Sequence, residues 1–221
     1  MHQNLRLHTI VSEPFAENSY IVGLPDRKDV FIVDPGFDTN AILQYLEDEG
    51  LTPRAIVNTH GHVDHIAGNR ALKRAFPDAP LIIGIGDVPM LTDAFENMSA
   101  QFGLPVTSPE ADRTVREGDQ VELAGLEWDV FEIPGHSPGH VVYLWRGQPH
   151  LVLGGDVLFR GSVGRTDLPG GSFELLRSGI ETKLWPLPDD TVVYPGHGPV
   201  TTIGHEKRTN PFVGEPAEHP L

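Results

Sequence analysis

Residues 59–65, which read Thr-His-Gly-His-Val-Asp-His, constrain this chain more than any other stretch. They follow the apolar, β-prone residues 55–57, which predict a buried strand. Because alternate side chains of an extended segment point to the same face, His60 and His62 can bind one ion together. Three histidines and one aspartate within six residues are hard to explain as a solvent-washed turn. The stretch therefore predicts a metal site.

Asp64 and His65 lie where the predicted strand gives way to a predicted helix over residues 66–76. Because these two side chains leave the chain in a different direction from those of His60 and His62, they suit a second ion beside the first. Neutral imidazole and carboxylate are ligands that zinc, iron and manganese accept. The chain has no cysteine, which excludes disulfides, thiolate zinc sites and cysteine nucleophiles.

A second ligand-bearing loop follows a predicted strand over residues 126–133. Residues 134–140 read Pro-Gly-His-Ser-Pro-Gly-His, and the glycines and prolines suit a loop that approaches a ligand closely. Only one of the two histidines need bind metal. His136 is the candidate, because His140 directly precedes the next predicted strand and can serve to start it.

Two further strand ends carry ligand-type residues. A buried strand over residues 151–156 ends in Gly-Gly-Asp, so Asp156 is exposed at a strand terminus, where layered α/β folds place functional groups. Residues 191–194 lead in the same way into Pro-Gly-His-Gly, which contains His197. Packing alone does not explain four such strand ends. Surface or structural roles are assigned to the remaining histidines, His2, His8, His150, His205 and His219.

The other segments predict a scaffold of strands with a few helices. We expect antiparallel strands over residues 5–11, 19–22 and 30–33, and a helix over residues 41–49. Two interpretations of Asp34 are open, a turn residue or an outer carboxylate that orients a metal-bound histidine. Residues 88–103 carry methionine and phenylalanine at nearly helical spacing, which indicates core or lid packing.

Composition indicates a globular protein. The 221 residues, 39% hydrophobic and 21% charged, suit one domain over residues 1–221. No apolar run reaches the roughly 20 residues of a membrane helix, and no secretory signal is visible at the start. We therefore expect a cytoplasmic protein without a membrane partner. The formal charge of −15 argues against nucleic acid, whereas a small anionic substrate stays compatible with two metal ions and a nearby arginine.

Taken together and in this order, the four motifs resemble the metallo-β-lactamase superfamily. Residues 155–159, 164–167 and 210–212 resemble more closely the short type II glyoxalases, which are hydroxyacylglutathione hydrolases. The resemblance implies an α/β fold, a single-domain, four-layer αββα sandwich. It also implies two divalent ions, with zinc favoured over iron or manganese. The first ion would be bound by His60, His62 and His136, the second by Asp64, His65 and His197, and Asp156 would bridge them.

The implied activity is hydrolysis of an S-acyl thioester, such as an S-lactoyl ester, of a small thiol. Two ions about 3.5–4 Å apart lower the pKa of a shared water toward about 7, so hydroxide is present to attack the carbonyl at neutral pH. Asp64 would orient that hydroxide and take up its proton. Arg165, nine residues after Asp156, would hold the anionic end of the substrate, and its alternative role is a structural pair with Asp167.

Departures from the relatives leave alternatives open. Asp156 stands where true β-lactamases carry cysteine or serine, which argues against antibiotic hydrolysis. Residues 165–167 replace the Lys-Phe-Tyr run of full-length glyoxalase II, and we expect residues 1–221 to lack its C-terminal helical domain, so the thiol is not assigned. The alternatives are a mononuclear iron persulfide dioxygenase, a lactonase and a non-catalytic ligand-binding module. The seven-ligand set favours the dinuclear hydrolase.

Overall fold

The computed structural model describes residues 5–103 and 105–215. Its strands are β1 (Arg6–Ser12), β2 (Glu17–Gly23), β3 (Asp29–Val33), β4 (Thr52–Val57), β5 (Leu81–Gly84), β6 (Arg113–Val115), β7 (Gln120–Leu123), β8 (Leu126–Glu132), β9 (Val141–Trp145), β10 (Leu151–Gly155), β11 (Leu158–Phe159), β12 (Ser162–Val163), β13 (Val192–Pro195) and β14 (Thr201–Thr202). Its α-helices are α1 (Thr39–Glu49), α2 (Val63–Ile66), α3 (Asn69–Ala75), α4 (Val88–Thr92), α5 (Phe173–Gly179) and α6 (Ile203–Thr209). Short 3-10 helices cover Ile85–Asp87 and Ser99–Phe102, and a π-helical turn covers Ile180–Leu184.

Two six-stranded sheets form the centre of the molecule. The first has the order β1-β2-β3-β4-β5-β6, and the second has the order β14-β13-β10-β9-β8-β7. The pairs β1/β2 and β2/β3 are antiparallel, as the sequence predicted, whereas β3 to β6 pair in parallel. In the second sheet β10 and β13 are parallel, so the segments after these two strands emerge at the same edge.

Apolar side chains fill three interfaces between four layers. Between the sheets, Phe31 of β3 meets Trp128 of β8 edge-on at 5.4 Å, and both are fully buried. The outer face of the first sheet packs on α1, α2, α3 and α4, and that of the second packs on α5, the π-helical turn and α6. Since each fully buried large apolar side chain contributes about 1.5–3 kcal/mol, these interfaces account for the layering. The predicted αββα sandwich is confirmed.

The predicted helix over residues 66–76 is wrong in its extent. The structure has α2 and α3 instead, separated at Ala67 and Gly68. The Gly68 N–H donates to the Pro35 carbonyl at 2.8 Å, and a Cβ on Gly68 would lie 2.8 Å from the Gly36 carbonyl oxygen. This close approach to another loop redirects the chain, which neither neighbouring sequence nor helix propensity reveals.

Only part of the predicted helical segment over residues 88–103 is helical. After α4 the chain turns until the 3-10 helix Ser99–Phe102. Met90 and Leu91 are buried, as predicted for core packing, whereas Phe95 and Phe102 are exposed. Across residues 5–103 and 105–215, the helices are too short or too polar for any of them to cross a membrane.

Candidate metal centre

Four loops that follow strands meet at one edge of the sandwich. His60 and His62 lie in the loop after β4, and His136 lies in the loop between β8 and β9. Asp156 follows β10, and His197 follows β13. Asp64 and His65 are presented by α2, which begins directly after His62. All seven predicted ligands are thus brought together.

Three of the predicted histidine ligands form one compact set, called here group one. Its members are His60, His62 and His136, whose ligand nitrogens all lie within 4.8 Å of one another. The Nε2 of His136 lies 2.8 Å from Nδ1 of His62 and 3.2 Å from Nε2 of His60. The three rings therefore point one nitrogen each at a common centre, as tetrahedral metal sites require.

Group two consists of Asp64, His65 and His197, whose ligand atoms also lie within 4.8 Å of one another. The Oδ2 of Asp64 lies 3.2 Å from Nε2 of His197 and 3.7 Å from Nε2 of His65. This group mixes one carboxylate with two imidazoles, which differs from the all-imidazole set of group one.

Asp156 lies between the two groups. Its Oδ1 is 3.5 Å from Nε2 of His65, and its Oδ2 is 3.5 Å from Nε2 of His136 and 3.6 Å from Nε2 of His197. The preceding Gly155 has φ 46°, and a Cβ there would collide with the side chains of Thr59 and His140. The Gly-Gly-Asp sequence is therefore what allows the carboxylate to reach both groups.

Hydrogen bonds to the far side of three rings fix their orientation. The donors are Nδ1 of His65 to Asp34 Oδ2 at 3.1 Å, Nδ1 of His136 to the Arg165 carbonyl at 2.8 Å, and Nδ1 of His197 to the Phe15 carbonyl at 3.1 Å. A ring that donates through Nδ1 offers the lone pair of Nε2 to the centre. Within the described residues, Nε2 of His65 and Oδ1 of Asp156 are buried without a hydrogen-bond partner. Buried ligand-type atoms that converge without a hydrogen-bond partner suit divalent cations, so these residues fit metal ions.

Asp34 acts as the outer carboxylate that the sequence left as one of two interpretations. Besides His65, it accepts hydrogen bonds from the backbone N–H and the hydroxyl of Thr59 at 2.7 and 2.6 Å. Its backbone has φ 47°, so it is a turn residue as well. Asp34 also lies within ligand distance of His60 and His65, but its oxygens are already occupied by these donors. It therefore orients group two rather than competing for an ion.

The pKa values of His60 and His62 in group one shift in the opposite direction from those of the histidines in group two. In group one, burial lowers the pKa of His60 well below its usual range, and neighbouring His65 and His136 lower it further. Burial likewise lowers the pKa of His62 to about 3, with His136 adding to the effect. Both rings are therefore neutral at physiological pH, which is the form that binds metal.

The pKa shifts in group two run the other way. Burial alone would lower the pKa of His65, but Asp64, Asp156 and Asp34 outweigh it and raise the pKa well above its usual range. Burial also opposes the raised pKa of His197, which the hydrogen bond to Asp64 and the charge of Asp156 bring about. For Asp64 itself, burial is outweighed by His65 and His197, which hold its pKa below the usual range.

Sequence reasoning missed Asp87, a buried carboxylate that joins the two loops of group one. It accepts hydrogen bonds from the Gly61 N–H at 3.0 Å, the Ser137 hydroxyl at 2.6 Å and the Gly139 N–H. Burial raises its pKa in spite of these three bonds. A signal was available, because residues 81–87 repeat the pattern of a strand, a glycine and a ligand-type residue.

His140 is buried beside the ligands but belongs to neither group. Its Nε2 accepts a hydrogen bond from the Asp156 N–H at 3.0 Å, and its ring stacks on His60 with the centroids 4.8 Å apart. His140 thus supports the backbone of Asp156. Another support lies in β2, where the Asn18 side chain donates to the carbonyls of Pro195 and Gly198, on either side of His197.

A cavity of about 450 Å³ opens onto both groups. Arg165 lines it, but its guanidinium donates two hydrogen bonds of 2.8 Å to the Asp167 carboxylate. The pair is exposed, and it matches the structural alternative for Arg165. The substrate-binding role of Arg165 stays a prediction, because Arg165 lines the cavity but its guanidinium is already paired with Asp167.

Comparison with known proteins agrees with this geometry. A family model described as the metallo-beta-lactamase superfamily matches residues 12–197. The chain belongs to this superfamily. Hydroxyacylglutathione hydrolase GloC of Haemophilus influenzae is 36% identical over 212 residues, which cover 95% of this chain and 98% of that protein. The probable metallo-hydrolase YqgX of Bacillus subtilis is 38% identical over 201 residues, which cover 90% of this chain and 93% of that protein.

Solved structures of this superfamily superpose over nearly the whole chain. The BLEG-1 B3 metallo-beta-lactamase has a TM-score of 0.89 at 38% identity, covering 94% of this chain and 99% of that one. TTHA1623 in a di-iron-bound form has a TM-score of 0.82 at 37% identity, covering 93% and 99%. The chain is accordingly a metal-dependent hydrolase of the superfamily, and its histidine and aspartate groups imply divalent metal ions.

Proposed function

We propose that the chain hydrolyses S-acyl thioesters of a small thiol and uses two divalent ions, with zinc as the native metal. The observation that carries the proposal is the position of Asp156, within 3.6 Å of ligand nitrogens from both groups and beside the cavity. A bridging carboxylate offsets the repulsion between two cations. The similarity to GloC, a hydroxyacylglutathione hydrolase, supports the thioester substrate.

In this proposal group one and group two each hold one ion. When bound, the ions act as Lewis acids that polarise a carbonyl and make water acidic enough to be a nucleophile near neutral pH. Asp64 lies beside Nε2 of His197 at the cavity, so its carboxylate would orient that water and take up its proton. Arg165, at the cavity wall, would contact the anionic end of the thiol carrier.

Metal analysis combined with two activity assays tests the proposal. Purified protein should contain two ions per chain and hydrolyse an S-lactoyl thioester without consuming oxygen. His150→Ala, remote from both groups, serves as the control and should retain metal and activity. One ion per chain with oxygen uptake on a persulfide would favour the iron dioxygenase, and a faster rate on a cyclic ester would favour the lactonase.

A second candidate is β-lactam hydrolysis, which the similarity to BLEG-1 favours. Opening a lactam ring needs the same attack of water on a carbonyl. A chromogenic cephalosporin assayed beside the thioester separates the two. We expect kcat/KM to be higher for the thioester, and a higher value for the cephalosporin would reverse the order of the candidates.

A further inference from the structure

Much of the lining of the cavity beside the metal centre is apolar, and this apolar part is called here the wall. Six side chains from four separate segments form it, namely Phe15, Met98, Phe102, Phe159, Val163 and Leu168. The rings are packed on one another: Phe15 meets Phe102 edge-on at 5.2 Å. Phe159 lies edge-on to the ring of His197, at 6.2 Å between centroids. The wall thus extends from the rim of the cavity to a predicted metal ligand.

Phe102 leaves 58% of its surface exposed at this wall. Its segment is nevertheless held in place, because the buried Asn97 donates to the carbonyls of Met90 and Val106 at 3.0 and 2.9 Å. Ser99 adds a backbone hydrogen bond to the Asn97 side chain at 3.0 Å. A large apolar ring held in the open beside a reactive centre indicates a surface that a ligand covers.

Lysine and arginine are scarce in the lining of this cavity. Arg165 is the one arginine or lysine among the described residues that line the cavity, and its guanidinium is already paired with Asp167. Binding of a highly charged group along the wall would leave that charge without a partner. An apolar group would gain free energy from the same contact.

We propose that the wall binds an apolar acyl group, so that the preferred thioesters carry an aliphatic or aromatic acyl chain rather than a short polar one. This proposal rests on the proposed thioester hydrolysis and names its acyl specificity. The acyl group would lie against Phe15, Phe102 and Met98, with the carbonyl carbon at the metal centre. The thiol carrier would then extend toward Arg165.

A series of straight-chain acyl thioesters of one thiol, from acetyl to octanoyl, tests the wall. For wild type, kcat/KM should rise about fourfold for each methylene added, until the wall is covered. In Phe102→Ala the rise should fall to about twofold or less for each methylene. Phe95→Ala is the matched control, because Phe95 lies in the same segment, is 78% exposed and does not line the cavity.

Binding of straight-chain carboxylates, from acetate to octanoate, gives a measurement that does not need turnover. Calorimetry on the protein loaded with zinc should show Kd falling about fourfold for each methylene in wild type and Phe95→Ala, but not in Phe102→Ala. If no thioester is cleaved while this binding series holds, thioester hydrolysis fails and the apolar site stands. Thioester turnover with equal rates and equal Kd values along both series would overturn the apolar site.

Discussion

The two halves of the metal centre, group one and group two, both bring three ligand-type side chains together, but they differ in ligand type and in protonation. Group one consists of imidazoles alone, and burial keeps His60 and His62 neutral. Group two contains a carboxylate, and the surrounding aspartates raise the pKa of His65 and His197. In the absence of ions, protons on group two take the place of the cation, whereas group one keeps converging lone pairs. Group one is thus poised to accept an ion directly, and group two must first release protons.

Asp156 belongs to both halves, so its loss should have the largest effect. Asp156→Ala should lower kcat/KM by about 10³-fold or more, because compensation of two like charges at about 4 Å is worth about 4 kcal/mol. The metal content should fall below two ions per chain. Thioester assays and metal analysis of the purified variant measure both effects. Unchanged metal content would show that Asp156 is not needed to hold the two metal ions.

His136 and His140 distinguish a ligand from its support. His136→Ala should remove the ion of group one and lower its affinity by more than about 100-fold. The matched variant His140→Ala loses the hydrogen bond from the Asp156 N–H and the stacking on His60 but no predicted ligand, so we expect about tenfold lower kcat/KM with metal retained. If His140→Ala lost metal while His136→Ala kept it, His140 would be the ligand and His136 the supporting residue.

Asp87 should affect group one and spare group two. Asp87→Ala leaves the Gly61 and Gly139 N–H groups and the Ser137 hydroxyl without their acceptor, so the loops that carry His60, His62 and His136 lose their common anchor. We expect metal affinity of group one to fall 10- to 100-fold, roughly the effect of losing an outer-shell partner. Metal titration of the variant measures this.

Asp93→Ala provides the control for Asp87. Asp93 is an exposed aspartate whose carboxylate accepts only local backbone N–H groups, those of Phe95 and Glu96. Its loss should leave both metal affinities unchanged. An equal loss of affinity from both groups in Asp87→Ala would show that the whole edge of the fold, rather than group one, depends on this carboxylate.

The Arg165 side chain should influence substrate binding without changing either half of the metal centre, because its contact with His136 is made by the backbone carbonyl. If the contact is made equally in the ground and transition states, Arg165→Ala should raise KM about ten- to a hundredfold for a thioester with an anionic thiol carrier and leave kcat nearly unchanged. A neutral, truncated thioester should not respond to the substitution. If both substrates suffer alike and the Tm falls, the pair with Asp167 is the whole role of Arg165.

Proton release gives the smallest effect and the sharpest test of the comparison. The raised pKa values mean that His65 and His197 bind protons until the pH exceeds those values, so the affinity of group two should fall as the pH falls. His60 and His62, with lowered pKa values, should stay neutral between about pH 6 and 8. Calorimetry in buffers of different ionisation enthalpy should find about one to two protons released with the second ion and fewer with the first.

Much of this protein was readable in local patterns. Most strands of both sheets, though not β6 and β14, the end of α1 at Gly50 and the seven candidate ligands follow from alternation, strand ends and glycine, which are patterns over a few residues. The resemblance to the superfamily supplied the layer order, which the fold confirms. The ligand roles stay predictions, although the structure brings all seven side chains together at one edge.

Contacts between distant segments decided the rest. The break between α2 and α3 depends on the Pro35 carbonyl, and the anchoring of group one depends on Asp87, which bonds residues of two other loops. The apolar wall needs Phe15 and Phe102, which lie far apart in the chain. Helix propensity and hydrophobic period carry no information on such partners, because burial and hydrogen bonding between segments exist only once the layers have packed.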